Sequence, residues 1–158
     1  APHTSNWDFI VGKLFYTAIG RNAKFLIKKE WYVFPLNLFF NALGGVPIDR
    51  SKRKDGKSAS STTEQMVKEF SRRERFQLAI TPEGTRKGTN EWKKGFYYIA
   101  LEANVPILPA YIDYKRKEAG FMPAFYPTGD AEADIIKIRA LYEHVVGKHP
   151  EKFITQKA

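Results

Sequence analysis

Residues 24–49, KFLIKKEWYVFPLNLFFNALGGVPID, decide the fold. Lys24-Phe25-Leu26-Ile27-Lys28 is a short apolar run closed by lysines, the pattern of a buried strand. Pro35 to Leu43 reads as a short helix, because proline is tolerated in a first helical turn and Gly44-Gly45 stops it. Val46-Pro47-Ile48-Asp49 is a second short strand, its proline marking an edge or a start. A strand, a crossover helix and a second strand are the unit from which parallel sheets are built.

The same alternation extends in both directions. Upstream, Trp7 to Ile19 places Phe9, Ile10, Leu14, Phe15 and Ala18 at three- and four-residue spacing, a helix ended by Gly20. Downstream comes the most basic loop, Ser51-Lys52-Arg53-Lys54-Asp55-Gly56-Lys57, and then a serine–threonine cluster able to cap a helix. Thr63 to Arg75 is that helix, with Met66, Val67 and Phe70 on one face. The pattern then predicts a strand at Phe76 to Ile80, a loop at Thr81 to Gly88 and a helix at Gly95 to Ala103. It continues with a strand at Val105 to Ile112 holding two prolines, and a late strand at Phe121 to Tyr126. A last helix, Asp130 to Val146, puts Ile135, Ile138, Leu141, Tyr142 and Val145 on one side. The expected fold is therefore α/β: a single domain with a largely parallel central sheet, helices on both faces, and reactive groups at the strand ends. No internal repeat, low-complexity tract or linker interrupts it.

The chain has 158 residues, enough for one domain with a sizeable core. With 26 Lys and Arg against 17 Asp and Glu, its net charge of +9 predicts an acidic partner. The classes are nucleic acid, an anionic membrane surface, an acidic protein or a phosphorylated substrate. The absence of cysteine excludes disulfides, thiolate zinc sites and cysteine nucleophiles. No window reaches about 18 uninterrupted apolar residues, so no transmembrane helix is expected. The most apolar stretch, Trp31 to Leu43, is broken by Pro35, Asn37 and Asn41. Its ordinary reading is core packing. The alternative is an interfacial element, since Trp31 to Phe40 is rich in aromatics that favour headgroup depth. No ligand cluster for a metal is visible, and His144 and His149 read as surface residues.

Two constellations carry chemistry. His3-Thr4-Ser5-Asn6-Trp7-Asp8 places a histidine and an aspartate where a loop enters a helix, spaced so that the carboxylate can fold back onto the imidazole. An aspartate on one ring nitrogen fixes the tautomer and stabilises the imidazolium, leaving the other nitrogen to take a proton. This is a catalytic triad without its serine, so the hydroxyl to be activated could belong to the substrate. The plainer reading makes Asp8 a helix-start acid and His3 an exposed loop residue. The second constellation is Thr81-Pro82-Glu83-Gly84-Thr85-Arg86-Lys87-Gly88. Its glycines permit close backbone approach, Thr85 offers a hydroxyl, and Arg86 and Lys87 suit a phosphate or carboxylate. It is neither a nucleotide P-loop nor a dinucleotide fingerprint, and its plainer reading is a polar surface turn. Arg50, after the strand ending at Asp49, stands where ligands bind in open α/β sheets; its plainer reading is a surface arginine.

Together these pieces resemble the glycerolipid acyltransferase family, the enzymes that acylate glycerol-3-phosphate and lysophosphatidic acid. His3 to Asp8 resembles that family's first block, a histidine, four residues and an aspartate. Gly45-Val46-Pro47-Ile48-Asp49-Arg50 resembles the second, Pro82-Glu83-Gly84-Thr85-Arg86 the third, and Val105-Pro106-Ile107-Leu108-Pro109 the fourth. Lys93-Lys94-Gly95 fits the run between the last two. The blocks stand in order over Ala1 to Ile112; from Asp113 onward no family motif is recognisable. Pro2 stands where the family often has asparagine before the histidine, and Pro47 where it often has an aromatic or aliphatic residue.

The resemblance implies acyl transfer from a thioester, acyl carrier protein or coenzyme A, to a hydroxyl of a glycerolipid or glycerol-phosphate acceptor, with 1-acyl-sn-glycerol-3-phosphate the default, in phospholipid biosynthesis. It implies His3 as general base, Asp8 as its orienting partner, Arg50 and Arg86 as phosphate ligands, and Glu83, Gly84 and Thr85 as the shapers of that pocket. No metal or cofactor is implied beyond the acyl donor. The whole span 1–158 would be the acyltransferase domain, with an upstream strand or membrane-anchoring segment outside it. The domain would sit peripherally on the cytoplasmic side of the membrane, with Lys52, Arg53, Lys54 and Lys57 against anionic headgroups or an acidic carrier protein. The competing class is a basic nucleic-acid-binding module without enzymatic activity; the chain has the charge but no recognisable nucleic-acid-binding signature, and no nucleic acid is expected.

Overall fold

The computed structural model describes residues 1–49, 61–89 and 91–153. In chain order its elements are α1 (Trp7–Ala18), β1 (Lys24–Lys28), α2 (Leu36–Leu43), β2 (Gly45–Ile48), α3 (Thr62–Ser71), β3 (Leu78–Ala79), α4 (Gly95–Glu102), β4 (Ala110–Asp113), β5 (Glu118–Phe121) and α5 (Ala131–Ala140), with two short 3₁₀ turns. They fall into two compact units, Arg21–Ile80 and Ala1–Gly20 with Thr81–Ala158. The expected α/β class is what is found.

The unit Arg21–Ile80 is a three-stranded parallel sheet in the order β2-β1-β3. Phe25 stands opposite both Gly45 and Ala79, so β1 is central. The alternation of β2 buries Val46 and Ile48 and turns Pro47 out, and Met66 of α3 and Ala23 are buried as well. Ser61 caps α3, its hydroxyl accepting the Glu64 amide at 3.1 Å. This helix ends at Ser71, short of the expected Arg75, and β3 is limited to two residues. Gly44 ends α2 in the left-handed region at φ 89°, where a Cβ would also lie 3.1 Å from Asn22 Oδ1. Asp49 follows β2 and is held on both sides of its peptide: Gln65 donates to its carbonyl at 2.9 Å and accepts from its amide at 3.2 Å.

Core packing is the wrong reading for most of Trp31 to Phe40. Trp31, Val33, Phe34, Leu36, Leu38 and Phe39 are exposed, Phe34 to 80%, and α2 has no buried residue. Ten consecutive uncharged residues, Trp31 to Phe40, thus leave six large apolar side chains on the surface.

The other unit holds an apolar core of Trp92, Tyr97, Ala131, Ile135, Ile138 and Tyr142, joining α4 to α5. Here β4 and β5 form an antiparallel hairpin, Ala110 opposite Phe121 and Asp113 opposite Glu118, in place of further parallel strands. Its turn is set by Asp113, whose Oδ1 accepts the amides of Lys115 and Arg116, each at 2.9 Å. The expected strands shift accordingly. Pro106 and Pro109 have no N–H for a ladder, so the regular strand begins only at Ala110. Phe125 makes a single bridge with Ile107, while the strand proper is Glu118–Phe121. The last helix also stops early, at Ala140, where Leu141, Tyr142 and Glu143 switch to tighter bonds three residues back.

Candidate active site

The segment entering α1 is organised by a carboxylate. Asn6, at the helix start, makes no side-chain cap. Asp8, in the first turn, instead folds back, and its Oδ2 accepts the Thr4 amide at 2.7 Å and the Ser5 amide at 2.8 Å. The loop thereby wraps around Asp8 and brings His3 Nδ1 to 3.4 Å from the same oxygen. The Asp8 side chain is 5% exposed and that of His3 19%, so the carboxylate is sheltered and the imidazole keeps part of its surface open to solvent. Asp8 thus stands in the first turn of α1 and at the same time in contact with His3.

Two further side chains support the pair. Tyr114 donates its hydroxyl to Asp8 Oδ1 at 2.7 Å. Glu83, buried, accepts the His3 backbone amide on Oε1 at 3.0 Å, while its Oε2 is buried with no hydrogen-bond partner among the described residues. Burial pushes the Asp8 carboxyl up, but the bonds from His3, Tyr114 and the Ser5 and Thr4 amides outweigh it and hold the group down at about 2. Asp8 is therefore an anion at any working pH. Burial, and then the Asp8 charge, push the Tyr114 phenol far above its ordinary range, so it remains a donor.

Glu83 opens the second constellation. Gly84 donates its amide to Thr81 O at 3.1 Å and adopts φ 62°, while the Lys93 amide closes onto Pro82 O at 2.8 Å. A Cβ on Gly84 would lie 2.8 Å from Lys93 Cδ and Cε, so the close approach this glycine permits is that of the Lys93 side chain. The Thr85 hydroxyl accepts the Lys87 amide at 3.1 Å and steadies the turn. Arg86 is exposed. Hydrogen bonds and an ion-pair contact thus join His3, Asp8 and Glu83 directly, and Gly84 and Thr85 follow Glu83 in one loop. Arg50 lies outside the described residues, as do Lys52, Arg53, Lys54 and Lys57.

The sequence reading missed Tyr114 and the chain after it. The His149 amide donates to Thr4 Oγ1 at 3.2 Å, Lys148 Nζ stands 4.9 Å from the centre of the Trp7 ring, and a Cβ on Gly147 would come within 3.1 Å of Thr4. One signal for Tyr114 was present: it directly follows β4, and strand ends are where α/β folds carry chemistry. Among the described residues no group of three or more His, Asp and Glu could hold a metal ion, and no helix is long and apolar enough to cross a membrane.

Comparison with known proteins bears on this arrangement. No curated protein matches the chain. Among solved structures it is similar to the crystal structure of the 1-acyl-sn-glycerophosphate (LPA) acyltransferase PlsC from Thermotoga maritima, with a TM-score of 0.52 and 18% identity. The likeness covers 77% of this chain and 54% of that one, so the chain spans about half the length of the protein it matches, and at this identity the match speaks for the fold. The family model described as Acyltransferase matches residues 1–113, the span that runs from the His3–Asp8 loop through Glu83 to the end of β4. With most of its length matched, the chain belongs to the acyltransferase family.

Proposed function

We propose that the protein transfers a fatty acyl group from a thioester, acyl carrier protein or coenzyme A, to a hydroxyl of a glycerolipid, 1-acyl-sn-glycerol-3-phosphate first among acceptors, in phospholipid biosynthesis. The observation that carries this reading is the His3–Asp8 pair, with Nδ1 against a buried anion and Nε2 left for the acceptor's proton. His3 takes that proton as the oxygen attacks the thioester carbonyl. Asp8 stabilises the resulting imidazolium. Backbone N–H groups receive the oxyanion, and collapse of the tetrahedral intermediate breaks the C–S bond, the thiolate taking the proton back from His3. Arg50 and Arg86 serve as ligands for the acceptor phosphate, and Glu83, Gly84 and Thr85 shape the loop that carries Arg86. Direct attack requires no metal or cofactor beyond the acyl donor.

The domain comprises 1–158 in this reading and works peripherally on the cytoplasmic face of a membrane. Two features support a lipid surface. The apolar side chains of Trp31 to Phe39 are exposed, and the unit Arg21–Ile80 that bears them holds 13 Lys and Arg against 6 Asp and Glu. Thiol release, measured across acceptors and both donor types with anionic or neutral vesicles, tests the whole reading. Release should require a lysophospholipid or glycerol phosphate and rise with anionic vesicles; release that ignores the acceptor, or its absence with every pair, overturns it. In the same assay Arg50→Ala should raise the acceptor's KM about tenfold or more with kcat little changed, as loss of a charge-assisted phosphate contact requires. An unchanged KM removes Arg50 from phosphate binding.

A further inference from the structure

We infer that Tyr114 is a positioning residue for the His3–Asp8 pair: its hydroxyl, donated to Asp8 Oδ1, fixes the carboxylate so that Oδ2 faces His3 Nδ1. The inference rests on the acyl-transfer reading for its catalytic consequence. The geometry stands by itself.

The contacts on the carboxylate are divided unevenly. Thr4 N, Ser5 N and His3 Nδ1 all meet Oδ2, at 2.7, 2.8 and 3.4 Å. Among the described residues Tyr114 alone reaches Oδ1. Without it, one oxygen of a buried anion is left bare, and the carboxylate is freer to turn about its Cβ–Cγ bond away from the imidazole. Tyr114 suits the task because its own backbone is fixed. Its amide donates to Val146 O at 2.9 Å, and the preceding Asp113 holds the turn through the amides of Lys115 and Arg116. A tyrosine has only two side-chain torsions, so an anchored backbone places its hydroxyl closely. Glu83, which holds the His3 amide, is another ionisable group facing the pair.

Loss of the phenol leaves the carboxylate free to turn, so Tyr114→Phe should loosen the hold of Asp8 on His3 Nδ1 and lower kcat about tenfold with the acceptor KM unchanged.

The test follows the tautomers of all three histidines by two-bond proton–nitrogen NMR at a fixed alkaline pH in the full chain, beside thiol-release kinetics and near-ultraviolet circular dichroism. Tyr142→Phe is the control, since the Tyr142 hydroxyl donates to Ala110 O at 3.1 Å and makes no bond to the pair. Loss of the Nδ1–H tautomer of His3 in Tyr114→Phe but not in Tyr142→Phe supports the inference. A folded Tyr114→Phe chain whose His3 keeps the wild-type tautomer overturns it. If the tautomer shifts as expected while the wild type releases no thiol from any donor, Tyr114 keeps its positioning role and the acyl-transfer reading falls.

Discussion

Replacing His3 by alanine should lower acyl transfer by about a thousandfold, with the melting temperature shifted by no more than a few degrees. The reason is the division of labour at the site. In the proposed mechanism the imidazole takes the acceptor's proton, while the Asp8 carboxyl, held down at about 2, stays an anion and Tyr114 stays a neutral phenol. The loop's framework, in contrast, runs through backbone: Thr4 N and Ser5 N on Asp8, and His3 N on Glu83. Alanine keeps all three bonds. Steady-state thiol release and a thermal melt on the same preparation decide the matter, and a variant that keeps near-wild-type kcat ends the assignment of His3 as the base.

Asp8→Asn should cost about as much activity, on the order of 10³–10⁴-fold, as loss of an orienting carboxylate does in hydrolytic triads. The amide can still fold back: its oxygen accepts the Thr4 and Ser5 amides, and its NH₂ faces a Tyr114 hydroxyl that can rotate to accept. A neutral oxygen, however, does little to stabilise an imidazolium. Stability separates this variant from a trivial loss of fold. The carboxyl of Asp8 is lowered in the folded chain from its ordinary 3.8 to about 2. A depressed carboxylate contributes stability that is fully present above about pH 4 and is lost as pH falls toward 2. After screening, this amounts to about 1–2 kcal/mol. Urea unfolding of wild type and Asp8→Asn should therefore differ most near neutrality and converge between pH 4 and 2. Parallel stability curves over that range would show that Asp8 carries no such charge.

The parallel sheet was legible because its signals are local. Phe25-Leu26-Ile27 is an apolar run, Val46 and Ile48 alternate with Pro47, and Gly44 stops α2; each is decided within a few residues. The pairing of β4 with β5 was not legible in the same way. It depends on Asp113 closing a turn by its side chain, while Pro106 and Pro109 delay the strand that the apolar pattern suggests. Trp31 to Phe39 misled for a related reason: composition marks a segment as apolar but does not say whether anything packs against it. In the site, His3 and Asp8 were readable because one turn of chain joins them. Glu83 entered as a shaper of a phosphate pocket, whereas its Oε1 supports the His3 amide from 80 positions away. Tyr114, 106 positions from Asp8, offered only its place after a strand, and nothing local pointed to Asp8.

Those separations have a bearing on synthesis. His3 and Asp8 leave the ribosome well before their supports, since the bonds that steady them close loops of 80, 106 and 145 positions, through Glu83, Tyr114 and His149. Contacts so distant in sequence form late, since a long loop must be closed before any of them is rewarded. A nascent chain released only as far as β4 already possesses both members of the pair and every recognisable block, but neither the phenol that fixes the carboxylate nor the amide that binds Thr4. The order of translation therefore delays the finished site until nearly the whole described chain has emerged.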